Sequence, residues 1–144
     1  METHENYNRQ HQDIREENGI KYGDVIEGVN FEYAAKLTGV NAITLAGLAW
    51  SPPTPTNVMI GGAVKPSTKL RWDKIEDANI AGYKVYWRDT TSPVWQYSRF
   101  VGDVSEATLK NIVIDNFLFG VAAVAKDGNE SLIVFPTSLI PRRR

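Results

Sequence analysis

The centre of the chain reads Leu70-Arg71-Trp72 and, after a polar link, Ala81-Gly82-Tyr83-Lys84-Val85-Tyr86-Trp87-Arg88. In both pieces large apolar residues alternate with polar ones, a pattern that places every second side chain on the same face of a β-strand. The link is too polar and too short to hold a crossover helix, so the two strands are predicted to lie in an antiparallel or sandwich arrangement. A later run repeats the alternation and adds a third inner row, made of Phe119, Val121 and Ala123. These three strands are predicted to form one core.

Composition limits the classes of partner. The chain has 144 residues, which is one ordinary domain or a small domain with an appendage, and its formal net charge of -1 provides no basic surface for nucleic acid or an anionic membrane. It contains no cysteine, which excludes disulfides and thiolate metal sites. No segment has the length and apolar composition of a membrane span, and Met1 is not followed by a signal peptide. We therefore expect no nucleic acid and no membrane partner, and we expect any export signal of the natural protein upstream of this chain.

Three regions follow one another along the sequence. Residues 1–30 are polar and have too few aliphatic side chains to offset chain entropy alone, so they are expected to need support from other structure. Residues 31–50 are predicted to form a helix, with Asn30 as its N-cap and Glu32 in its first turn. Because this helix is apolar on nearly all sides, it is expected to be a core element of a larger domain. Residues 51–56 form a Pro-rich, extended linker, and residues 57–144 form the second domain.

The second domain is predicted to be mainly β, a seven-stranded antiparallel β-sandwich of the immunoglobulin-like kind. Turn residues separate short alternating segments at the regular spacing that is typical of such sandwiches. The expected strands are 57–64, 68–73, 81–88, 94–101, 106–112, 118–125 and 131–135.

A family resemblance supports this prediction between residues 52 and 138. The order and spacing of the key residues are similar to those of a fibronectin type III domain: Pro55, Val58, Leu70-x-Trp72, Gly82-Tyr83-x-Val85-x-Trp87, Leu109 and Phe117-x-Phe119-x-Val121-x-Ala123. One residue departs from the pattern, because Phe117 stands where the family usually places the tyrosine of the tyrosine corner. The resemblance therefore implies that the hydrogen bond made by that tyrosine is missing here.

The first fifty residues also resemble a known family. His11-Gln12-Asp13, Gly23-Asp24 and the run from Val29 to Lys36, followed by the apolar helix, are similar to the end of a catalytic domain in secreted bacterial two-zinc aminopeptidases (peptidase family twenty-eight). Some members carry a C-terminal fibronectin type III domain. The resemblance implies that the chain is the tail of a longer, secreted or periplasmic zinc enzyme. It also implies that His11 is a former zinc ligand. The alternative is that His11, like His4, is an ordinary surface histidine.

The isolated chain is not expected to be an enzyme or to hold a cofactor. A two-zinc hydrolase needs a bridging carboxylate, further ligands and a base that converge on the metals, and this chain does not supply them. The leading hypothesis is a non-catalytic accessory region that docks to its parent catalytic domain or to another protein. A homodimer through the 31–50 helix is a further expectation.

An outward apolar surface is expected on the second domain. If the residues alternating with the inner row face outward, they form a contact surface larger than a monomer usually exposes. The residues expected in this surface are Tyr86, Trp95, Tyr97, Leu118 and Ala122. This surface supports the alternative hypothesis of an extracellular polysaccharide- or protein-binding module. A different interpretation is that these apolar side chains are scattered, or that residues 1–50 cover them. Asn129-Glu130-Ser131 also matches the N-glycosylation pattern, which has meaning only in a eukaryotic secretory protein.

Overall fold

The computed structural model of the protein describes residues 7–138. The chain divides into two compact units, Met1–Leu45 and Ala46–Arg144.

The first unit contains a β-hairpin made of β1 (Arg15–Glu17) and β2 (Ile20–Tyr22), which pair antiparallel. Asn18 and Gly19 form its turn with φ values of 53° and 76°, the left-handed geometry that favours Asn-Gly in two-residue hairpins. The backbone N–H of Gly23 donates to the carbonyl of Asn8 (3.0 Å) and closes the preceding loop. The hairpin goes beyond the prediction for residues 1–30, which describes them only as polar.

Helix α1 (Phe31–Trp50) has the predicted limits. Its cap is also as predicted, because the Asn30 side-chain oxygen accepts a hydrogen bond from the backbone N–H of Tyr33 (3.0 Å). No residue of the helix is buried. Its last turns belong to the second unit.

The second unit is built from two sheets. Its strands are β3 (Thr56–Gly61), β4 (Thr68–Asp73), β5 (Ile80–Asp89), β6 (Tyr97–Gly102), β7 (Glu106–Leu109), β8 (Phe117–Ala125) and β9 (Thr137–Ser138). One sheet has the order β7-β4-β3-β9, and the other has the order β6-β5-β8.

The two sheets share a single hydrophobic core. It includes the three inner rows that the sequence predicted, on β4, β5 and β8. Trp72 packs against Tyr83 with ring centroids 5.3 Å apart, and both side chains are buried. The Tyr83 hydroxyl accepts a hydrogen bond from the Ile75 backbone N–H (2.6 Å), which satisfies its polar end inside the core.

The seventh expected strand is wrong. Residues 130–135 make only isolated bridges to β8, at Val121–Val134 and Val124–Glu130, and β9 then pairs parallel with β3. The expected all-antiparallel arrangement therefore fails at this pairing. Pro136 gives the physical reason, because a proline has no backbone N–H to continue a ladder, and the chain leaves one sheet for the other there.

A buried threonine fastens the loop that precedes Phe117. Thr68 is fully buried, and its hydroxyl donates to the carbonyl of Ile112 (2.8 Å). Phe117 itself makes edge contacts with the rings of Tyr97 and Phe119, each at 6.3 Å between centroids. Thr68 thus supplies a side-chain hydrogen bond to the loop just before Phe117. Phe117 is the position at which a fibronectin type III domain usually has the tyrosine of the tyrosine corner.

Candidate docking surfaces

Helix α1 carries a large exposed apolar surface. Ile43 is 76% exposed, Leu45 68% and Phe31 63%, and they are joined by Tyr33, Leu37, Val40, Leu48 and Trp50. Covering a Leu or Phe side chain is worth roughly 1.5 to 3 kcal/mol, so leaving many of them in water is costly. This helix is therefore a candidate docking surface.

The hairpin unit exposes aliphatic side chains as well. Ile14 is 80% exposed, and Ile20 and Ile26 are also exposed. Among its described residues only Gly23 is buried. The unit therefore has almost no core of its own, in line with the expectation that residues 1–30 need support from other structure.

An aromatic cluster lies on the outer face of the β6-β5-β8 sheet. The Trp95 ring is 5.9 Å from Tyr86 and 5.3 Å from Phe135, with interplanar angles of 59° and 38°. Gly120 lies beneath this cluster, because a Cβ at that position would collide with Ile133 and press on Trp95. We call Tyr86, Trp95, Ile133 and Phe135 the outer aromatic cluster.

A polar group stands beside the outer aromatic cluster. The Lys84 ammonium donates to Glu130 Oε1 (2.8 Å), and the Tyr86 hydroxyl donates to Glu130 Oε2. Burial alone would raise the pKa of the Glu130 carboxyl, but the hydrogen bonds from Lys84 and Tyr86 outweigh it and hold that pKa below its usual range. The pKa of Lys84 is raised by the same hydrogen bond, and burial raises the pKa of the Tyr86 phenol.

The structure brings together only part of the predicted binding surface. Tyr86, Trp95 and Leu118 are half-buried residues of this sheet and its adjoining loop, whereas Ala122 is fully buried and offers no exposed surface. Tyr97 stands opposite Trp87 in the β5–β6 register and stacks on it (5.6 Å, 20°), so it lies on the core side of the sheet. Ala122 therefore does not belong to an exposed surface, and Tyr97, although 45% exposed, lies on the opposite face of the sheet from Tyr86 and Trp95. Segment 130–135 is the reason for the burial of Ala122, because its bridges to β8 cover the outer face near Gly120.

Sequence reasoning missed Glu130, Ile133 and Phe135 as members of this surface. Segment 131–135 was expected to be a regular strand, and nothing in its residue types indicates which side chains fold over β8.

His11 lies in an exposed turn ahead of β1, with φ of 50°. Within residues 7–138, no group of three or more His, Cys, Asp or Glu side chains is arranged to hold a metal ion. The described part of this chain therefore does not fit a complete zinc site, and the assignment of His11 as one former ligand stays a prediction. His4 lies outside the described residues. Across 7–138 there is also no helix with the length and hydropathy that a membrane crossing requires.

The Glu130 hydrogen bonds lead to a pH-dependent prediction. A carboxyl whose pKa is lowered in the folded state stabilises the protein above its unfolded pKa, near 4.3, and loses that contribution as pH falls through the folded pKa. Glu130→Gln is therefore expected to lower the free energy of unfolding by about 1 kcal/mol at pH 7, a value discounted because both side chains of the ion pair stay partly exposed. The gap between wild type and variant should shrink below pH 4 in urea unfolding. Glu76→Gln, an exposed carboxylate on the β4–β5 loop, is the control, and a Glu130→Gln gap that is the same at pH 7 and pH 3 would contradict the assignment.

Several curated fungal proteins are similar to this chain along most of its length. A Leptosphaeria maculans protein named "Probable zinc metalloprotease" is 42% identical over 136 residues, which cover 94% of this chain and 31% of that protein. Proteins with the same name from Pyrenophora tritici-repentis and Pyricularia oryzae are 40% and 36% identical, and each alignment covers 94% of this chain and 28% of the relative. The chain thus spans about a third of the length of these relatives. No family model matches it.

Solved structures with partial similarity are also known. The fn3 domain of human collagen alpha-1(XX) chain is 15% identical with a TM-score of 0.49, and the match covers 66% of this chain and 92% of that one. The FN1–FN3 domains of chicken CNTN1 are 18% identical with a TM-score of 0.48, covering 57% of this chain and 31% of that one.

Proposed function

We propose that this chain is the non-catalytic accessory region of a secreted, zinc-dependent aminopeptidase. In this proposal residues 57–144 form a fibronectin type III-like module, and helix α1 docks on the parent catalytic domain. The observation that carries the proposal is the helix itself, which is regular and capped over Phe31–Trp50 while none of its residues is buried.

Helix α1 needs cover from other structure to be stable. Isolated helices are marginal in water, and helices in proteins are stabilised mainly by packing an apolar face. Helix α1 exposes Phe31, Leu37 and Ile43 along its length, so cover for one side alone leaves another side in water. A larger domain that surrounds the helix provides that cover.

The curated relatives also support the proposal that this chain is part of a longer zinc enzyme. They are named "Probable zinc metalloprotease", and the match covers only 31% and 28% of their length. The unmatched remainder is long enough to hold the ligands and the base that the described residues of this chain do not provide. The aminopeptidase type, the export and the role of His11 rest on the resemblance of residues 11–50 to that enzyme family.

The strand order supports the module assignment. β4 lies between β3 and β7 in one sheet, and β5 lies between β6 and β8 in the other. An immunoglobulin-like sandwich places its strands A, B and E in one sheet and C and F in the other in this order.

Complementation tests the proposal. The L. maculans relative is produced without its matched region, and this chain is added to it with zinc. We expect zinc-dependent hydrolysis of an aminoacyl chromogenic substrate to appear only in the mixture, because neither part alone has the complete domain. Val40→Glu with Ile43→Glu should abolish the rescue, whereas Asn41→Glu, a polar position of the same helix, should keep it. Hydrolysis by the isolated chain with zinc would contradict the proposal.

A second candidate function rests on the outer aromatic cluster. Polysaccharide-binding surfaces use flat, exposed rings in a row, but the three rings here are tilted by 59° and 38° to their neighbours. This geometry favours a protein ligand over a sugar chain. Binding of a soluble glycan that is lost on Trp95→Ala would favour the polysaccharide-binding function instead.

Without its parent, the chain is expected to associate with itself through residues 31–50. A second copy packed helix against helix across a two-fold axis is the simplest closed way to cover the apolar side chains. Sedimentation velocity should show a dimer for the full chain and a monomer for a chain that begins at Ser51, which retains the whole core of the second unit. A monomeric full chain would contradict this expectation, and an associated short chain would move the interface to the two-sheet unit.

A further inference from the structure

We propose that Asn129 is an N-glycosylation site that receives an oligosaccharide as the chain enters the eukaryotic secretory pathway. The inference rests on the export that the proposed function assigns. Asn129-Glu130-Ser131 is the sole Asn-x-Ser/Thr pattern in the 144 residues, so an N-linked glycan on these residues must lie at this position. The similar curated proteins come from fungi, organisms in which this modification occurs.

The backbone presents Asn129 at the surface of a tight turn. The Gly128 N–H donates to the carbonyl of Ala125 (3.0 Å), and the Ala125 N–H donates to the carbonyl of Asn129 (2.8 Å). Gly128 has φ of 90°, which an L side chain rarely adopts. Asn129 itself is exposed. A bulky, hydrated group can therefore stand at this turn without displacing the core.

The hydrogen bonds of the Asn129 side chain are compatible with the modification. Its Nδ2 donates one hydrogen bond, to Asp127 Oδ2 (3.0 Å). A primary amide has two N–H groups, and attachment of a sugar replaces one of them. The remaining N–H can keep the bond to Asp127, which holds the modified side chain in place.

The burial of Ser131 in the folded unit indicates that the modification must occur before folding. Ser131 is only 6% exposed, and its hydroxyl accepts from the Ala123 N–H (2.9 Å) and donates to the Leu132 carbonyl (3.0 Å). In the folded unit the Ser131 hydroxyl is therefore buried and already hydrogen-bonded, so the transferase cannot reach it. Transfer must precede the docking of segment 130–134 on β8, so the folded protein is not an acceptor.

The chemical step is a substitution at a sugar carbon. Asn129 Nδ2 forms a bond to the anomeric carbon of an oligosaccharide carried on a lipid diphosphate. The bond from that carbon to the diphosphate oxygen breaks, the lipid diphosphate leaves, and one amide proton passes to a base of the transferase. No oxidation or reduction is involved.

The test is secretion of the full chain from yeast behind a host signal peptide, followed by intact-mass measurement. We expect a population heavier by one core oligosaccharide, which an amidase that cleaves the Asn–sugar bond removes. Asn129→Gln should abolish the added mass. Ser131→Thr is the matched control, since it keeps a hydroxyl at the same position, and it should be modified as fully as wild type or more.

A secreted wild-type chain without added mass would overturn the proposal. If the chain is not exported, cell-free translation with microsomal membranes and the same signal gives the same readout. Purified folded chain mixed with detergent-solubilised membranes, so that it can reach the transferase, should stay unmodified while chemically unfolded chain that is diluted into the same mixture is modified, and efficient modification of the folded chain would overturn the inference drawn from Ser131. Because the signal is supplied by the host, this result is separate from complementation of the zinc metalloprotease relative.

Discussion

Trp72→Ala is expected to unfold most of the second unit. Trp72 is 4% exposed and packs against Tyr83 at the centre of the core that both sheets share. Truncating a buried Trp costs about 3 to 5 kcal/mol, through lost burial and the cavity left behind. A domain of this size has a free energy of unfolding near the lower part of the usual 5 to 15 kcal/mol range, so little stability remains.

Trp72→Phe is the matched variant. The Trp72 Nε1 is buried without a hydrogen-bond partner in the described part of the chain, so phenylalanine removes an unsatisfied donor while it keeps an aromatic ring. We expect a loss of about 1 to 2 kcal/mol from the smaller volume. Urea unfolding and proton chemical-shift dispersion distinguish the two variants. A well-dispersed Trp72→Ala protein with the wild-type midpoint would mean that the core lies elsewhere.

Gly82→Ala is expected to have the next largest effect. A Cβ at this position would lie 2.5 Å from the carbonyl carbon of Gly102 and 2.8 Å from the Phe100 ring. The first obstacle is backbone of the neighbouring strand, so relief requires separating β5 from β6 near the bulge in their register. Overpacking typically costs about 1 to 3 kcal/mol, and we expect a value at or above the upper end because backbone cannot rotate away.

Gly102→Ala serves as the control for Gly82→Ala. A Cβ at position 102 would meet no atom within 4 Å, but φ there is 77°. Its expected cost is only the conformational penalty of about 1 to 2 kcal/mol. Equal unfolding midpoints for Gly82→Ala and wild type would show that the two strands are not in this close contact.

The sequence predicted elements whose signals are local. Period-two alternation at Tyr83, Val85 and Trp87 placed the inner row of β5, and an Asn cap ahead of an apolar run placed the start of helix α1. The Asn18-Gly19 turn was an equally local signal for the hairpin, but its flanking strands are only three residues long, and the first of them has no apolar residue. A three-residue strand is too short to show a two-residue alternation of apolar and polar side chains.

Features that depend on distant partners could not be predicted in this way. The change of sheet near Pro136 depends on where β3 offers a free edge, and the burial of Ala122 depends on structure from other parts of the chain. Alternation correctly assigns Ala122 to the face opposite the core, but it does not tell whether another segment covers that face. The same limit applies to Glu130, whose role depends on Lys84 and Tyr86.

Amide hydrogen exchange across residues 31–50 tests the docking role of helix α1 most directly. The backbone amides of a helix without tertiary cover exchange quickly, because local opening costs little free energy. We predict fast exchange in the chain that carries Val40→Glu with Ile43→Glu, where self-association is blocked, and in any monomeric wild-type chain. On addition of the L. maculans relative without its matched region, exchange in the wild-type helix should slow by at least an order of magnitude, while the Val40→Glu, Ile43→Glu chain stays fast. Unchanged exchange in the wild-type helix, with the relative present and folded, would contradict the claim that this helix is the docking surface of a longer peptidase.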